Sequence, residues 1–353
     1  MKKNVSIKST CPDASDRLRV MISKKSFEKC YLYCQELVLK FKSAENFKFL
    51  VDAPLLARNL PLELAEIVHN FRSEKIRSSA IIVNLPIFDL DLGQTPPTWQ
   101  LAADIPHKEV QTLEFLLVLL GTYLGTPFGF KTQQDGRIIH DILPMKKHED
   151  EQLGCGSKDE LVWHTEDAFH PYRGSYLALM CLKNPDYVPT TYCSINDISI
   201  NDEIKSLLFE KEYFILPDNS HLPSNNSIEQ VYSTNFNQIQ QMTDHPELVS
   251  ILSGSWKNPY MRIDPYFMPT KSLSEHHLDA FNQLVKAINS SLQDICLRCG
   301  DVLLIDNDRA VHGRRSFSAT YNGSDRWLKR LNISANIRLS RALRSSSLSY
   351  VIE

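Results

Sequence analysis

Apolar residues recur at helical spacing over residues 26–42, where Phe27, Leu32, Cys34, Leu37, Val38 and Phe41 fall, and this predicts a helix. Residues 60–71 repeat the pattern, with Pro61 suited to a first turn. Residues 110–124 are apolar almost throughout and predict a long helix packed across a sheet. Residues 275–292 predict an amphipathic helix, and residues 194–209 another. Short apolar runs predict buried strands within 76–85, 175–182, 302–305 and 331–337, with further strands over 137–144, 213–216, 248–252 and 260–263. Residues 95–98 read as a loop, and the polar, Gly-containing stretch 146–158 as a mobile one. Residues 217–227 are rich in Pro, Asn and Ser and read as a lid.

Helices thus dominate the first third, and short strands with regular turns follow from about residue 126. The pattern predicts an α+β chain with a mainly β core. The architecture expected is a double-stranded β-helix, or jelly roll, buttressed by N-terminal and inserted helices. One domain is expected over 1–353, with a loose tail at 1–15 and a peripheral tail at 342–353.

Composition narrows the field. The 353 residues are 42% hydrophobic and 23% charged, which is ordinary for a globular chain. A net charge of −3 and a pI near 6.4 leave no electrostatic footprint for nucleic acid. Residues 1–6 carry two lysines with no apolar run behind them, and the sequence offers no membrane-length apolar stretch. A cytoplasmic protein with reduced thiols is therefore expected from its eight cysteines. Cys296-Leu297-Arg298-Cys299 lacks the second ligand pair that structural zinc requires, so a structural or incidental role is expected. The small net charge does not oppose a homo-oligomer.

Candidate chemistry lies at Trp163-His164-Thr165-Glu166-Asp167. On a strand, His164 and Glu166 would project from one face. A second imidazole, His312, follows the apolar run Val302-Leu303-Leu304-Ile305. Two imidazoles and one carboxylate occupy one face of an octahedral metal and leave positions open, as suits non-haem Fe(II). Alone, a His-x-Glu is commonly a solvated strand. The apolar lead into His312 and the downstream Arg326 and Arg330 add weight.

The stretches around Trp163–Arg173 and Cys181–Asp186 resemble the clavaminate synthase-like branch of Fe(II)/2-oxoglutarate oxygenases. So do Thr132-Gln133-Gln134-Asp135-Gly136-Arg137, Pro217–Leu222, Arg309–Arg315 and Asp325–Arg330. Within that branch the chain is most similar to hydroxylases of free arginine or lysine, over about residues 25–340. The resemblance implies His164, Glu166 and His312 as iron ligands, with Arg326 and Thr190 holding the far carboxylate of 2-oxoglutarate. It implies Arg330 for the substrate α-carboxylate and Gln133 near its α-amine. Asp218, Ser220 and Asp264 would meet the cationic end. Arginine hydroxylases of this branch carry another carboxylate where Tyr266 stands. That departure favours the compact ammonium of lysine over a guanidinium.

The activity implied is hydroxylation of C3 or C4 of free L-lysine, using Fe(II), 2-oxoglutarate and O2 and releasing succinate and CO2. L-arginine or another free basic amino acid is the alternative substrate. A jelly-roll module that binds without turnover is the alternative of another class.

Overall fold

The computed structural model describes residues 15–75, 78–87, 89–104, 107–227 and 234–353. The predicted N-terminal tail lies outside these residues except for Ser15. In chain order the strands are β1 (Arg19–Met21), β2 (Ala80–Asn84), β3 (Thr126–Phe130), β4 (Ile139–Ile142), β5 (Leu161–His164), β6 (Tyr176–Lys183) and β7 (Thr190–Ser194). They continue as β8 (Leu252–Gly254), β9 (Pro259–Met261), β10 (Gln293–Ile295), β11 (Asp301–Asp306), β12 (Ala310–Arg314), β13 (Trp327–Ser334) and β14 (Val351–Ile352). The helices are α1 (Ser15–Leu18), α2 (Lys24–Phe41), α3 (Phe47–Leu56), α4 (Leu62–Arg72), α5 (Trp99–Asp104), α6 (Lys108–Thr122), α7 (Asp202–Phe209), α8 (Asn237–Asp244) and α9 (Glu275–Ser291).

The larger sheet runs β1-β2-β11-β6-β13-β3-β14, with β4 also paired to β13. The smaller runs β10-β7-β12-β5. Successive strand residues point to opposite faces, and this alternation builds the layers. Ala80 and Ile82 of β2 bury with Leu303 and Ile305 of β11 against Tyr192, Ile295 and Ala310 of the smaller sheet. Their neighbours Ile81 and Val83 turn the other way, into a cluster with α2, α3, α4 and α6. On the far side of the smaller sheet, Trp163, Cys193 and Val311 bury against Ile204 and Leu208 of α7 and Phe281, Leu284 and Ile288 of α9. The result is an α+β chain with a large, mainly β core and helices on both outer faces.

Most predicted elements occur close to their expected bounds. Side-chain caps set two helix starts: Ser23 accepts from Ser26 N at 3.2 Å, and Ser274 from His277 N at 3.3 Å. Each difference has a specific cause. Residues 194–209 are not one helix: Thr190–Ser194 pairs with both β10 and β12, and α7 starts afresh after Asn201, whose side chain accepts from Ile204 N. Residues 213–216 form only the bridge Tyr213↔Val249, because Leu216 N donates to Phe267 O instead. α3, which contains Pro54, has no counterpart in the predicted elements. Residues 342–353 do more than hang at the periphery: Val351 and Ile352 pair with Gly129 and Phe130 along the edge of β3, and Ile352 is buried. Residues 146–158 are pinned through Glu149, which meets Lys146 at 2.9 Å and Lys158 at 2.8 Å.

Candidate metal centre and amino-acid cleft

A cleft opens between the sheets, with Leu179 and Leu328 on one wall and Val162 and Gly313 on the other. β5 and β12 are antiparallel neighbours, and their register sets His312 opposite His164. β5 ends at His164, so strand alternation does not bring Glu166 to the cluster as the sequence spacing suggested. A turn does. Thr165 N donates to Ile263 O at 2.8 Å, and the Asn307 side chain grips the Glu166 backbone at both ends. Glu166 N donates to Asn307 Oδ1 at 2.9 Å, and Asn307 Nδ2 donates to Glu166 O at 3.1 Å. Asn307 stands at the corner where the chain leaves β11 in the larger sheet for β12 in the smaller. That corner therefore places one imidazole and one carboxylate together.

His312 Nε2 lies 3.2 Å and His164 Nε2 3.8 Å from Glu166 Oε2. One ligand atom from each residue lies within 4.8 Å of the others. His164 Nδ1 sits 2.8 Å from Val162 O, an atom that can only accept, so Nδ1 carries a hydrogen and Nε2 is the atom turned toward the cluster. Burial opposes charge on Glu166, but the Arg330 guanidinium and both imidazoles outweigh it and hold the carboxyl well below its ordinary range. The donor set fits a ferrous ion.

Arg326 and Thr190 meet across the cleft, with Arg326 Nη2 donating to Thr190 Oγ1 at 3.3 Å. Arg326 is buried, its Nε has no partner, and no carboxylate pairs with it among the described residues. Burial pushes its guanidinium down to about 10. A buried cation without an anion is costly, and a ligand carboxylate would complete this one.

Arg330, on β13 four residues past Arg326, joins a second cluster. Nη1 pairs with Glu166 Oε1, while Nη2 reaches Gln133 Oε1 at 3.3 Å and His140 Nδ1 at 2.7 Å. Gln133 Nε2 donates to Asp167 Oδ1 at 2.8 Å and to Ser220 Oγ at 2.6 Å, which turns Oε1 toward Arg330.

Asp218, Ser220, Asp264 and Tyr266 border the same cleft. Asp218 Oδ1 accepts from Ser220 N at 2.8 Å. Asp264 Oδ1 accepts from Tyr266 N at 3.1 Å. Burial and the neighbouring Asp218 push the Asp264 carboxyl up to about 6, against the pull of His164. Tyr266 is half exposed at the rim. The presumed lid is tied down in this structure: His221 is fully buried, with Nε2 3.1 Å from Asp167 Oδ1 and Nδ1 2.6 Å from Thr132 Oγ1. The sequence-predicted site residues thus gather around one cleft. The sequence did not single out His140, Asp167, His221 or Asn307 for the site. Asp167 and His221 lie within the stretches quoted above, but nothing local marks His140.

These features define the class: a two-imidazole, one-carboxylate oxygenase site with a cationic pocket beside it. No protein-family model matches the chain. It is 42% identical to an L-ornithine/L-arginine 3-hydroxylase of Catenulispora acidiphila, over 88% of this chain and 92% of that one. It is 38% identical to an enduracididine beta-hydroxylase of Streptomyces hygroscopicus, over 90% and 94%. The crystal structure of the non-haem iron oxygenase OrfP with Fe, succinate and (3S)-hydroxy-L-Arg matches at a TM-score of 0.89 and 39% identity, covering 95% of this chain and 99% of that one. L-lysine 4-hydroxylases, such as that of Flavobacterium johnsoniae, are similar at 28% identity over 79% and 73%. The chain belongs to the clavaminate synthase-like Fe(II)/2-oxoglutarate-dependent amino-acid hydroxylases. When bound, iron with 2-oxoglutarate and O2 supplies the oxidising power that an unactivated C–H bond demands and that acid–base side chains lack.

Proposed function

We propose that this enzyme hydroxylates C3 of free L-arginine or L-ornithine, within a double-stranded β-helix formed by the two facing sheets. His164, Glu166 and His312 hold the iron. Arg326 and Thr190 receive the far carboxylate of 2-oxoglutarate, Arg330 the substrate α-carboxylate, and Gln133 with Glu166 the α-ammonium. Asp218, Ser220 and Asp264 face the side-chain cation.

The observation that carries the substrate reading is the pair Asp218 and Asp264. Each has one carboxylate oxygen tied to a backbone N–H, which leaves the other for a ligand. A guanidinium offers donors on more than one edge and suits two carboxylates. The relatives support this: those at 42% and 38% identity are named for ornithine, arginine and enduracididine, and the lysine enzymes stand further away. Lysine rested on Tyr266, and a half-exposed rim side chain has little leverage over a buried charge.

The test is side-by-side turnover of arginine, ornithine and lysine with Fe(II), 2-oxoglutarate and O2, following succinate and identifying the product by NMR. The reading expects 3-hydroxylated arginine or ornithine. A higher kcat/KM for lysine than for both would overturn it.

A further inference from the structure

His140 is the cross-strand partner of Arg330 in the β4–β13 ladder. Its Nε2 lies 2.9 Å from Arg137 O. A carbonyl only accepts, so Nε2 carries the ring hydrogen. Nδ1 is then a lone pair, and it lies 2.7 Å from Arg330 Nη2. The ring is buried, and burial and the adjacent guanidinium both favour its neutral form.

We propose that His140 is a positioning residue for amino-acid binding, a neutral acceptor that aims the Arg330 guanidinium at the substrate carboxylate. The inference rests on Arg330 being the carboxylate receiver. A carboxylate at position 140 would orient Arg330 equally well, but it would cancel the positive charge that the substrate needs. Glu166 already sets one carboxylate on Arg330, and neutral imidazole directs the fork without adding a second. Glu166, Gln133 and His140 engage three of the five guanidinium donors, and Arg330 Nε is buried without a partner. The donors left are one on Nη1 and the one on Nε, on different edges of the fork, so a carboxylate meets them one at a time.

Two variants of similar polarity separate this role from a packing role. In His140→Asn the amide oxygen occupies the Nδ1 position and keeps the acceptor. In His140→Gln the polar atoms sit nearer the Nε2 position, and the acceptor toward Arg330 is lost. The expected result is an amino-acid KM close to wild type for Asn and raised on the order of tenfold or more for Gln. The 2-oxoglutarate KM and the iron content should stay unchanged in both. Equal effects of the two variants, or a parallel change in the 2-oxoglutarate KM, would overturn the proposal. The wild-type protein supplies an independent check by 15N NMR of His140: a hydrogen on Nδ1 rather than Nε2 also overturns it. The underlying reading is tested separately with the decarboxylated amine of the substrate. If the wild-type enzyme binds that amine as tightly as the amino acid, Arg330 is not the carboxylate receiver. If the amine binds weakly and His140→Gln does not weaken it further, both stand.

Discussion

His164 and His312 are direct cross-strand partners, 148 positions apart in sequence, with ring centroids 4.9 Å apart. The ladder between β5 and β12 therefore sets the spacing of the two imidazoles before any metal arrives. Replacing either by Ala removes a ligand without touching the backbone bonds of that ladder. The expected outcome for His312→Ala is loss of stoichiometric iron, measured by metal analysis, with circular dichroism close to wild type. Retention of one iron per chain would exclude His312 as a ligand.

Gly313 follows His312 and has no room for a side chain. A Cβ there would meet Leu161 O at 2.5 Å and Thr191 Oγ1 at 2.8 Å. Because the first clash is with backbone of β5, Gly313→Ala must push the two ligand strands apart. Iron affinity should fall by at least about tenfold, since metal sites tolerate errors of only about 0.2 Å. Titration with Fe(II) under anaerobic conditions measures it, and an unchanged affinity would show that the ladder can give.

Arg326 carries its charge into a buried wall with a threonine for company. Losing one partner of a desolvated charge pair costs about 2–5 kcal/mol, so Arg326→Gln should raise the 2-oxoglutarate KM by at least about 30-fold. The amino-acid KM should change little. Steady-state kinetics with each substrate varied in turn would separate the two, and an effect confined to the amino acid would move Arg326 to the wrong end of the cleft.

Asp264 should impose a pH dependence on substrate binding. Its carboxyl is pushed up to about 6, so it is mostly neutral below that pH and charged above it. A cationic side chain needs the charged form. The KM for arginine or ornithine should therefore rise as pH falls through about 6, and binding near that pH should release a proton. Asp264→Asn should show a high KM without this dependence. A wild-type KM that stays flat between about pH 7.5 and 5 would remove Asp264 from the cation site.

Lys329, next to Arg330 but facing α6, is fully buried between Glu114 Oε1 at 2.7 Å and Asp141 Oδ1 at 2.6 Å. Burial opposes its charge, but the two carboxylates outweigh it and push the ammonium up. Lys329→Met would leave two buried carboxylates short of a partner. A loss of about 3–5 kcal/mol is expected in denaturant unfolding. A loss below about 1 kcal/mol would mean that water reaches the pair.

Much of this protein is legible locally. Periodicity marks α2, α6 and α9 and the strands β6 and β11, because burial of one face writes a repeat of 3.6 or 2 into neighbouring residues. The His-x-Glu pair, the distal His312 and the arginines after it are legible as types and spacings. The strand reading of Glu166 failed because β5 stops at His164 and Asn307, far along the chain, holds the turn. The strand at 213–216 and the long helix at 194–209 failed for a similar reason: partners elsewhere took their hydrogen bonds.

The sequence by itself determined which residue types could form an iron site and where the main helices and strands lie. Tertiary structure decided that His164 meets His312, that Arg330 meets His140 and that Asp218 and Asp264 share a cleft. It also decided that Tyr266 stays at the rim. Those outcomes depend on strand register and burial, which are settled by contacts between residues far apart in the chain. A hydrogen bond or a shifted carboxyl belongs to such a contact, and no local spacing encodes it.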